Sequence, residues 1–210
     1  MLSFFIFHFS FSSRSLTLLI YGANVNKKND ILSVFNIFSI FEGYKKYNMD
    51  IRKAKEEDID IIMDVFDAAK LFMRKTGNNK QWVDGYPSKE LILGNIRDEG
   101  FYVCMSDEKQ IIGVFYFKVE NDSTYDKIYD GEWLDDRPYG VVHRIASSGV
   151  RKGIADFCLQ WCIEKCKNIR IDTHRDNTVM QNVLKRNGYK QCGIIYLVSG
   201  AERIAFQKSI

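Results

Sequence analysis

One stretch of the sequence, from Tyr139 to Cys166, limits what the chain can fold into more than any other. It reads YGVVHRIASSGVRKGIADFCLQWCIEKC. The run from Gly140 to Ala146 is typical of a buried strand, and the apolar residues after Gly153 recur at three- and four-residue steps, as in a helix. The stretch therefore predicts a strand, a tight glycine turn and a helix. The free N–H groups and the dipole at a helix start make such a turn a candidate anion site.

The spacing within this turn does not match a known phosphate motif. Gly149 and Gly153 are four residues apart, but Lys152 precedes the second glycine and no Ser or Thr follows it, unlike a P-loop. The three glycines of a dinucleotide-binding fingerprint are also missing. From spacing alone, a structural strand-to-helix turn is the favoured interpretation.

The rest of the chain predicts strands and helices from Met49 onward. Apolar residues at helical spacing predict one helix before Gly77 and a second that Ser88 caps. Further strands are predicted at 49–54, 101–105, 111–119, 169–173, 191–198 and 203–207, with a helix capped by Asp176 or Asn177. The order β-α-α-β-β-β-α-β-α-β-β implies an α/β layer with a mixed sheet. The polar and aromatic segment from Asn121 to Pro138 is a long loop, and loops of this length are usually functional.

Residues 1–48 differ from the rest of the chain. They are rich in Phe, Ser, Ile and Asn, show no clean period, and are followed by a fresh start at Met49. The segment is a poor signal peptide because Arg14 interrupts its apolar run, and its uncharged runs are shorter than the roughly 20 residues of a membrane span. We expect translation to begin at Met49 and the leader to be an artefact of start-site assignment, disordered or loosely structured. A membrane-associating arm and a cleaved targeting peptide are the alternatives.

The charge of the remaining 162 residues is balanced. Residues 1–48 hold five of the 30 basic residues and two of the 27 acidic ones, so 25 of each remain from Met49 onward. A chain without a basic field does not have the composition of a nucleic-acid-binding protein. We therefore expect neither nucleic acid nor membrane as a partner, and a homodimer stays open.

The five cysteines indicate packing rather than metal binding. Three of them, Cys158, Cys162 and Cys166, are spaced by four on one predicted helix, and no Cys-x-x-Cys pair is present. Buried thiols pack as small apolar groups. An odd number of cysteines without a secretion signal favours a reducing, cytoplasmic location. We expect no metal site.

Three segments of the chain, in this order, give a specific resemblance. They are IRKAKEEDIDII, VHRIASSGVRKGIADF and IDTHRDNTVMQNVLKRNGY. Through them the chain resembles, from Met49 to Lys208, the GNAT superfamily of acyl-CoA-dependent N-acetyltransferases. The resemblance implies a mixed, mostly antiparallel central sheet with flanking helices. QWVDGYP and HRIASSG are similar to a bacterial subgroup of undefined substrate.

The resemblance also implies which residues hold coenzyme A. The pyrophosphate would lie on backbone N–H groups of Val150, Arg151, Lys152, Gly153, Ile154 and Ala155. The pantetheine arm would pair with Ile145, Ala146 and Ser147 and would contact Asn177. Two positions depart from the family pattern. Val150 replaces an Arg or Gln at little expected loss, and Leu184 replaces the Tyr that usually serves as general acid, which puts that role in doubt.

The candidate catalytic residues follow from the chemistry of amine attack on a thioester. An alkylamine with a pKa near 10.4 must first lose its proton to a base. His143 is the leading candidate base, with Glu132 acting through a water and His174 as alternatives. Tyr196 or Tyr189 is the candidate for protonating the thiolate. Each of these residues also has an ordinary structural interpretation, namely packing, capping or a solvated surface.

Four aromatic residues are candidates for the acceptor pocket. They are Trp82, Tyr86, Trp133 and Tyr139, and covering the sheet is the alternative for each. The predicted function is transfer of an acetyl group from acetyl-CoA to a primary amine of a small molecule or peptide, by direct attack in a ternary complex. A non-catalytic acyl-CoA-binding module is one alternative, and an interaction domain whose turn binds nothing is another.

Overall fold

The computed structural model describes residues 49–210, so the expectation for the leader lies outside the described residues. Seven strands are present in this part of the chain: β1 Met49–Lys53, β2 Phe101–Ser106, β3 Ile111–Val119, β4 Gly140–Ser147, β5 Asn168–Thr173, β6 Lys190–Tyr196 and β7 Glu202–Ser209. Four α-helices accompany them: α1 Ile59–Lys75, α2 Lys89–Arg97, α3 Ile154–Cys166 and α4 Thr178–Arg186. The predicted order of strands and helices is confirmed.

The strands form one mixed sheet in the order β1-β2-β3-β4-β5-β7-β6. Every neighbouring pair is antiparallel except β4 and β5, which are parallel. The predicted mixed, mostly antiparallel sheet is therefore confirmed. The parallel pair lies at the centre, where α3 makes the crossover from β4 to β5.

The helices cover both faces of this sheet. Successive residues of a strand point to opposite faces, and Val114 and Phe115 accordingly belong to two different apolar clusters. The Val114 cluster contains residues of α1 and α2, including Phe66, whereas the Phe115 cluster contains residues of α3 and α4, including Cys158. Three cysteines, Cys104, Cys158 and Cys162, are fully buried in the second cluster and none forms a disulfide.

The central pair of strands is joined only at one end. β4 and β5 pair at Gly140 with Ile169 and at Val141 with Arg170, and their ladder ends there. Beyond these residues the strands diverge, so the far edge of β4 has no neighbouring strand among residues 49–210. The gap between the two strands is the floor of the site described below.

A bulge in β4 lies at the edge of this gap. Val114 pairs with Ala146 and Tyr116 pairs with His143, so two residues of β4, Arg144 and Ile145, face one residue of β3. Arg144 has a φ of 53°, in the left-handed region. A bulge of this kind bends the strand and changes the direction of the side chains beside it.

Candidate functional site

The gap between β4 and β5 opens into a cavity of about 1340 Å³. Its walls come from the second half of β4, the turn before α3, the end of β5, the start of α4 and the segment 80–86. One end is lined by the turn and the helix starts, and the other by ionisable side chains around His143. We call these the turn end and the His143 end.

The turn end presents backbone N–H groups. Gly149 and Gly153 have φ values of 81° and 83°, which glycine adopts without steric cost. Gly153 begins α3 without a side-chain cap, so the N–H groups of the first helical turn have no partner within the helix. Arg151 and Lys152 also line the cavity. An anion placed at this turn would meet backbone donors, the helix dipole and basic side chains.

The sequence-predicted coenzyme residues lie together here, with one exception. The lining includes Ile145, Ala146, Ser147, Arg151, Lys152, Gly153, Ile154, Ala155 and Asn177. Val150 is 73% exposed and does not line the cavity. Asn177 caps α4, because its Oδ1 accepts the Met180 N–H at 3.0 Å, and its Nδ2 donates to Gln81 Oε1 at 2.9 Å. Asn177 therefore joins α4 to the segment 80–86.

At the other end, His143 lies between two carboxylates. Its Nε2 is 2.8 Å from Asp122 Oδ2, and its Nδ1 is 4.0 Å from Asp172 Oδ1. Tyr125 donates its hydroxyl hydrogen to Asp172 Oδ1 at 2.9 Å. The His143, Asp122 and Asp172 side chains are 22%, 19% and 11% exposed, so all three are largely shielded and still line the cavity.

The contacts at this end lower the pKa of one carboxyl group and raise the pKa of two tyrosines. The hydrogen bond from His143 holds the pKa of Asp122 well below its usual range, with a further contribution from Thr124. Burial raises the pKa of Tyr125 well above its usual value, and the nearby charge of Asp172 adds to this. Burial raises the pKa of Tyr116 too, helped by its 2.7 Å hydrogen bond to Glu120.

This arrangement gives His143 the geometry of a general base. When Nε2–H donates to the ionised Asp122, the other ring nitrogen, Nδ1, carries the free lone pair. Nδ1 is the nitrogen on the side of Asp172, and both residues line the cavity. A histidine oriented by a carboxylate in this way can accept a proton from a group bound in the cavity.

The structure does not bring the other candidate catalytic residues to the cavity. Glu132 is exposed, and its backbone N–H donates to Cys192 O at 3.0 Å. Tyr196 packs edge-on against Tyr129, at a ring separation of 5.3 Å, beside a separate pocket of about 230 Å³. His174 accepts the Asp176 N–H on Nδ1 at 3.1 Å in the loop before α4, and burial lowers its pKa.

Two further positions from the sequence are buried in the core. Tyr189 is 3% exposed and Leu184 is fully buried, and neither lines the cavity. Burial also raises the pKa of Tyr189 well above its usual value. The position where the family usually has a tyrosine is thus part of the packing between α4 and the sheet.

The four aromatic candidates separate into two pairs. Trp82 and Tyr86 line the cavity. Trp133 and Tyr139 do not, because their rings sandwich the Arg170 guanidinium, whose carbon lies 4.3 and 4.1 Å from the two ring centres. The long loop containing Trp133 therefore packs against β5 at this point instead of covering the cavity.

Several residues of the His143 end were not among the sequence candidates. They are Asp122, Asp172, Arg144, Tyr116 and Glu120. Asp122 lies in the loop that its length had marked as functional, and Asp172 lies in the predicted strand 169–173. These two signals were present in the sequence, but neither selects one carboxylate among many.

Among residues 49–210, no cluster of three or more His, Cys, Asp or Glu side chains is arranged to bind a metal ion. None of the helices in that range has both the length and the apolar character needed to cross a bilayer.

The matches of this chain to known proteins are to solved structures. No protein-family model and no curated protein matches the chain. The crystal structure of a GNAT-family acetyltransferase from Streptococcus agalactiae matches with a TM-score of 0.71 and 36% identity, over 77% of this chain and 95% of that one. A GNAT-family acetyltransferase from Listeria monocytogenes matches with a TM-score of 0.58 and 16% identity, over 77% and 95% of the two chains.

A third match is to a structure with a bound coenzyme. A GNAT-superfamily phosphinothricin acetyltransferase from Sinorhizobium meliloti, solved in complex with AcCoA, has a TM-score of 0.52 and 14% identity, over 77% of this chain and 88% of that one. At this identity the likeness concerns the fold. The identity to the Streptococcus agalactiae protein is much higher and extends over nearly all of that protein. Together with the splayed β4–β5 pair and the glycine turn, it shows that the chain belongs to the GNAT family of acetyltransferases.

Proposed function

We propose that the protein transfers an acetyl group from acetyl-CoA to a primary amine by direct attack in a ternary complex. The observation that carries the proposal is the hydrogen-bonded pair of His143 and Asp122, 2.8 Å apart, beside the gap between β4 and β5. A base is needed there, because an amine bound near neutral pH is protonated and cannot attack.

Acetyl-CoA would occupy the cavity from the turn end. Its pyrophosphate would meet the N–H groups that follow Gly153, and its pantetheine amides would pair with the free edge of β4 at Ile145 to Ser147. The cavity of about 1340 Å³ exceeds the roughly 300–1,000 Å³ of ordinary small-molecule sites, as two substrates require. The complex of the Sinorhizobium meliloti relative with AcCoA supports the use of this coenzyme.

The reaction would then proceed in four steps. His143 Nδ1 accepts a proton from the bound ammonium, and the freed amine nitrogen attacks the thioester carbonyl carbon. The carbonyl oxygen becomes an oxyanion, which a backbone N–H of the β4 bulge near Ile145 can stabilise. The tetrahedral intermediate collapses, and the C–S bond breaks. The thiolate of coenzyme A leaves, and the second proton of the amine is lost to solvent.

The leaving group does not require a tyrosine. A thiol has a pKa near 8.5, so a thiolate is a stable leaving group close to neutral pH. The buried Leu184 at the usual tyrosine position is therefore compatible with catalysis. The absence of the usual tyrosine is also the reason to test a second candidate function, a non-catalytic acyl-CoA-binding module.

An acetylation assay separates the two functions. The protein is mixed with acetyl-CoA and a panel of amines, and release of the coenzyme A thiol is followed. We expect amine-dependent release that is greatly reduced in His143→Gln. A thermal shift with acetyl-CoA and no release with any amine would favour the binding module. Ligand at 1,000 times its dissociation constant should raise the free energy of unfolding by about 4 kcal/mol.

A further inference from the structure

We infer that the amine acceptor also carries a carboxylate, as an amino acid does, and that Arg144 binds this carboxylate. The inference rests on the proposed acetyl transfer and names the substrate class for the same cavity.

Arg144 lines the cavity beside the proposed base. It is one of the two bulged residues of β4, with a φ of 53°, and its neighbour in sequence is His143. Its guanidinium lies over the Tyr116 ring, 5.1 Å from the ring centre. A positive φ is strained for a non-glycine residue, and such residues concentrate at functional sites.

The charge of Arg144 has no counter-ion among residues 49–210. Its two hydrogen bonds go to neutral groups, from Nη1 to the Tyr86 hydroxyl at 3.1 Å and from Nη2 to Asn95 Oδ1 at 2.8 Å. Its Nε is buried and has no hydrogen-bond partner within the same residues. A guanidinium has five N–H donors and binds carboxylates with two of them at once. Three donors of Arg144 are therefore left without a partner in the described part of the chain.

Other arginines nearby already have an acidic partner. Arg203 also lines the cavity, and its Nε lies 3.7 Å from Asp172 Oδ2. Arg186 pairs with Asp156 at 2.7 Å. A partly buried cation without an anion is unfavourable unless a ligand supplies one. Arg144 therefore differs from these two residues in having an unmatched charge inside the cavity.

The opposite charge pattern lies a short distance away. Asp122, Asp172 and Glu120 line the cavity around His143 and would attract an ammonium group. The His143 ring contacts the same Tyr116 ring, with 5.9 Å between the ring centres. Because Arg144 and His143 both contact the Tyr116 ring, the group that would bind an anion lies close to the groups that would bind a cation. This short separation suits a zwitterion with both charges on one small molecule.

The same pattern disfavours an acceptor with two amines. A diamine that placed one nitrogen beside His143 would bring its second positive charge towards Arg144, and like charges repel. The apolar residues Ala69, Phe72 and Trp82 also line the cavity and offer an apolar surface to a substrate side chain. Amino acids such as phenylalanine, leucine and methionine are therefore the appropriate probes.

The test compares each probe with its primary amide. The amide keeps the α-amine and the side chain and loses only the carboxylate charge. We expect wild-type kcat/KM for the acid to exceed that for the amide by about 10- to 100-fold, the size of a hydrogen bond to a charged group. Arg144→Gln should bring this ratio close to one, mainly through KM of the acid. Arg144→Lys should keep part of the ratio, and it serves as the second variant if the glutamine variant does not fold.

Arg203→Gln is the matched control, because it removes a cavity arginine that already has a partner. It should retain the preference for the acid over the amide. Equal use of acid and amide by the wild type, or a preference that survives Arg144→Gln, would overturn the inference. Acetylation of putrescine but of no amino acid would overturn it and leave acetyl transfer standing. Acetylation of no amine at all would instead contradict the proposed function.

Discussion

The two ends of the cavity are built in different ways. The turn end consists mainly of consecutive residues, 145–155, and offers backbone N–H groups. The His143 end brings together side chains from the loop after β3, from β4 and from β5, which are up to 50 residues apart between Asp122 and Asp172. A ligand meets main-chain donors at one end and individual side chains at the other.

This difference determines how each end responds to substitution. Backbone donors remain when a side chain changes, which is consistent with the exposed Val150 in place of a usual polar residue. At the His143 end a single replacement removes the chemical group itself. We therefore expect substitutions at the His143 end to change turnover and acceptor choice, and substitutions at the turn end to change coenzyme affinity.

The largest expected effect is on turnover. His143→Gln should lower kcat for acetyl transfer by about 100- to 1,000-fold, because it removes the proposed general base. The dissociation constant of acetyl-CoA should change little, since the turn end is intact. Steady-state kinetics and calorimetry measure the two quantities separately.

Glu132→Gln is the control for this experiment. Glu132 was also a sequence candidate, but it is exposed and lies outside the cavity lining. Turnover close to that of the wild type is expected. A loss in Glu132→Gln as large as that in His143→Gln would show that the base is not His143 alone.

The next effect is on coenzyme affinity. Gly153→Asp should weaken acetyl-CoA binding about 30-fold more than Gly153→Asn, which corresponds to about 2 kcal/mol between a charge and a phosphate at partly exposed positions. Both residues tolerate the left-handed conformation at φ 83° and have nearly the same size. The comparison therefore isolates the charge.

Calorimetry with acetyl-CoA measures both affinities. A parallel titration with pantetheine, which has no pyrophosphate, should show almost no difference between the two variants. Equal acetyl-CoA affinity of the Asp and Asn variants would mean that the pyrophosphate does not lie at this turn.

The turn end could be predicted from the sequence because its signals are local. The apolar strand, the two glycines and the helical spacing after Gly153 all lie within one stretch of 28 residues. The structure has β4 at Gly140–Ser147 and α3 at Ile154–Cys166, in agreement with the predicted strand, turn and helix. The order of the remaining elements follows from periodicity in the same way.

The His143 end could not be predicted because it depends on tertiary geometry. Asp172 faces His143 only because the β4–β5 ladder ends at Arg170 and the strands diverge. Arg144 enters the cavity at a bulge that no glycine marks. The loop 121–138 places Asp122 beside the proposed general base, His143. Trp133 of the same loop instead packs against Arg170, together with Tyr139, which follows the loop. The composition of that loop contains no indication of this division.

A smaller effect concerns the stability of the His143 end. Asp122 has a lowered pKa in the folded protein, so its contribution to stability is complete above its unfolded pKa, near 3.9, and is lost as the pH falls towards the folded value. Asp122→Asn should lower the free energy of unfolding by about 1.5 kcal/mol at pH 7. The difference from the wild type should shrink below about pH 4.

Urea denaturation between pH 7 and pH 3 measures this difference. Asp107→Asn, at an exposed position in the turn between β2 and β3, is the control and should show little effect at any pH. A penalty for Asp122→Asn that stays constant down to pH 3 would mean that the carboxylate charge does not contribute to the stability of this end.

The smallest expected effect is at Asn177, which joins the start of α4 to the segment 80–86 at the turn end. Asn177→Ala removes the cap of α4, the 3.0 Å bond from the Met180 N–H, and should lower the free energy of unfolding by about 1 kcal/mol. Asn177→Asp keeps an oxygen for this cap and should recover most of the loss in thermal denaturation.

If Asn177 also contacts pantetheine, acetyl-CoA affinity should fall several-fold in the alanine variant. The side-chain NH2 group of Asn177 donates to Gln81 at 2.9 Å and is missing from both variants, so a loss of affinity in both would assign the effect to this NH2 group. A residue at the turn end would then depend on its side chain, and the distinction between a main-chain end and a side-chain end would apply only to residues 145–155.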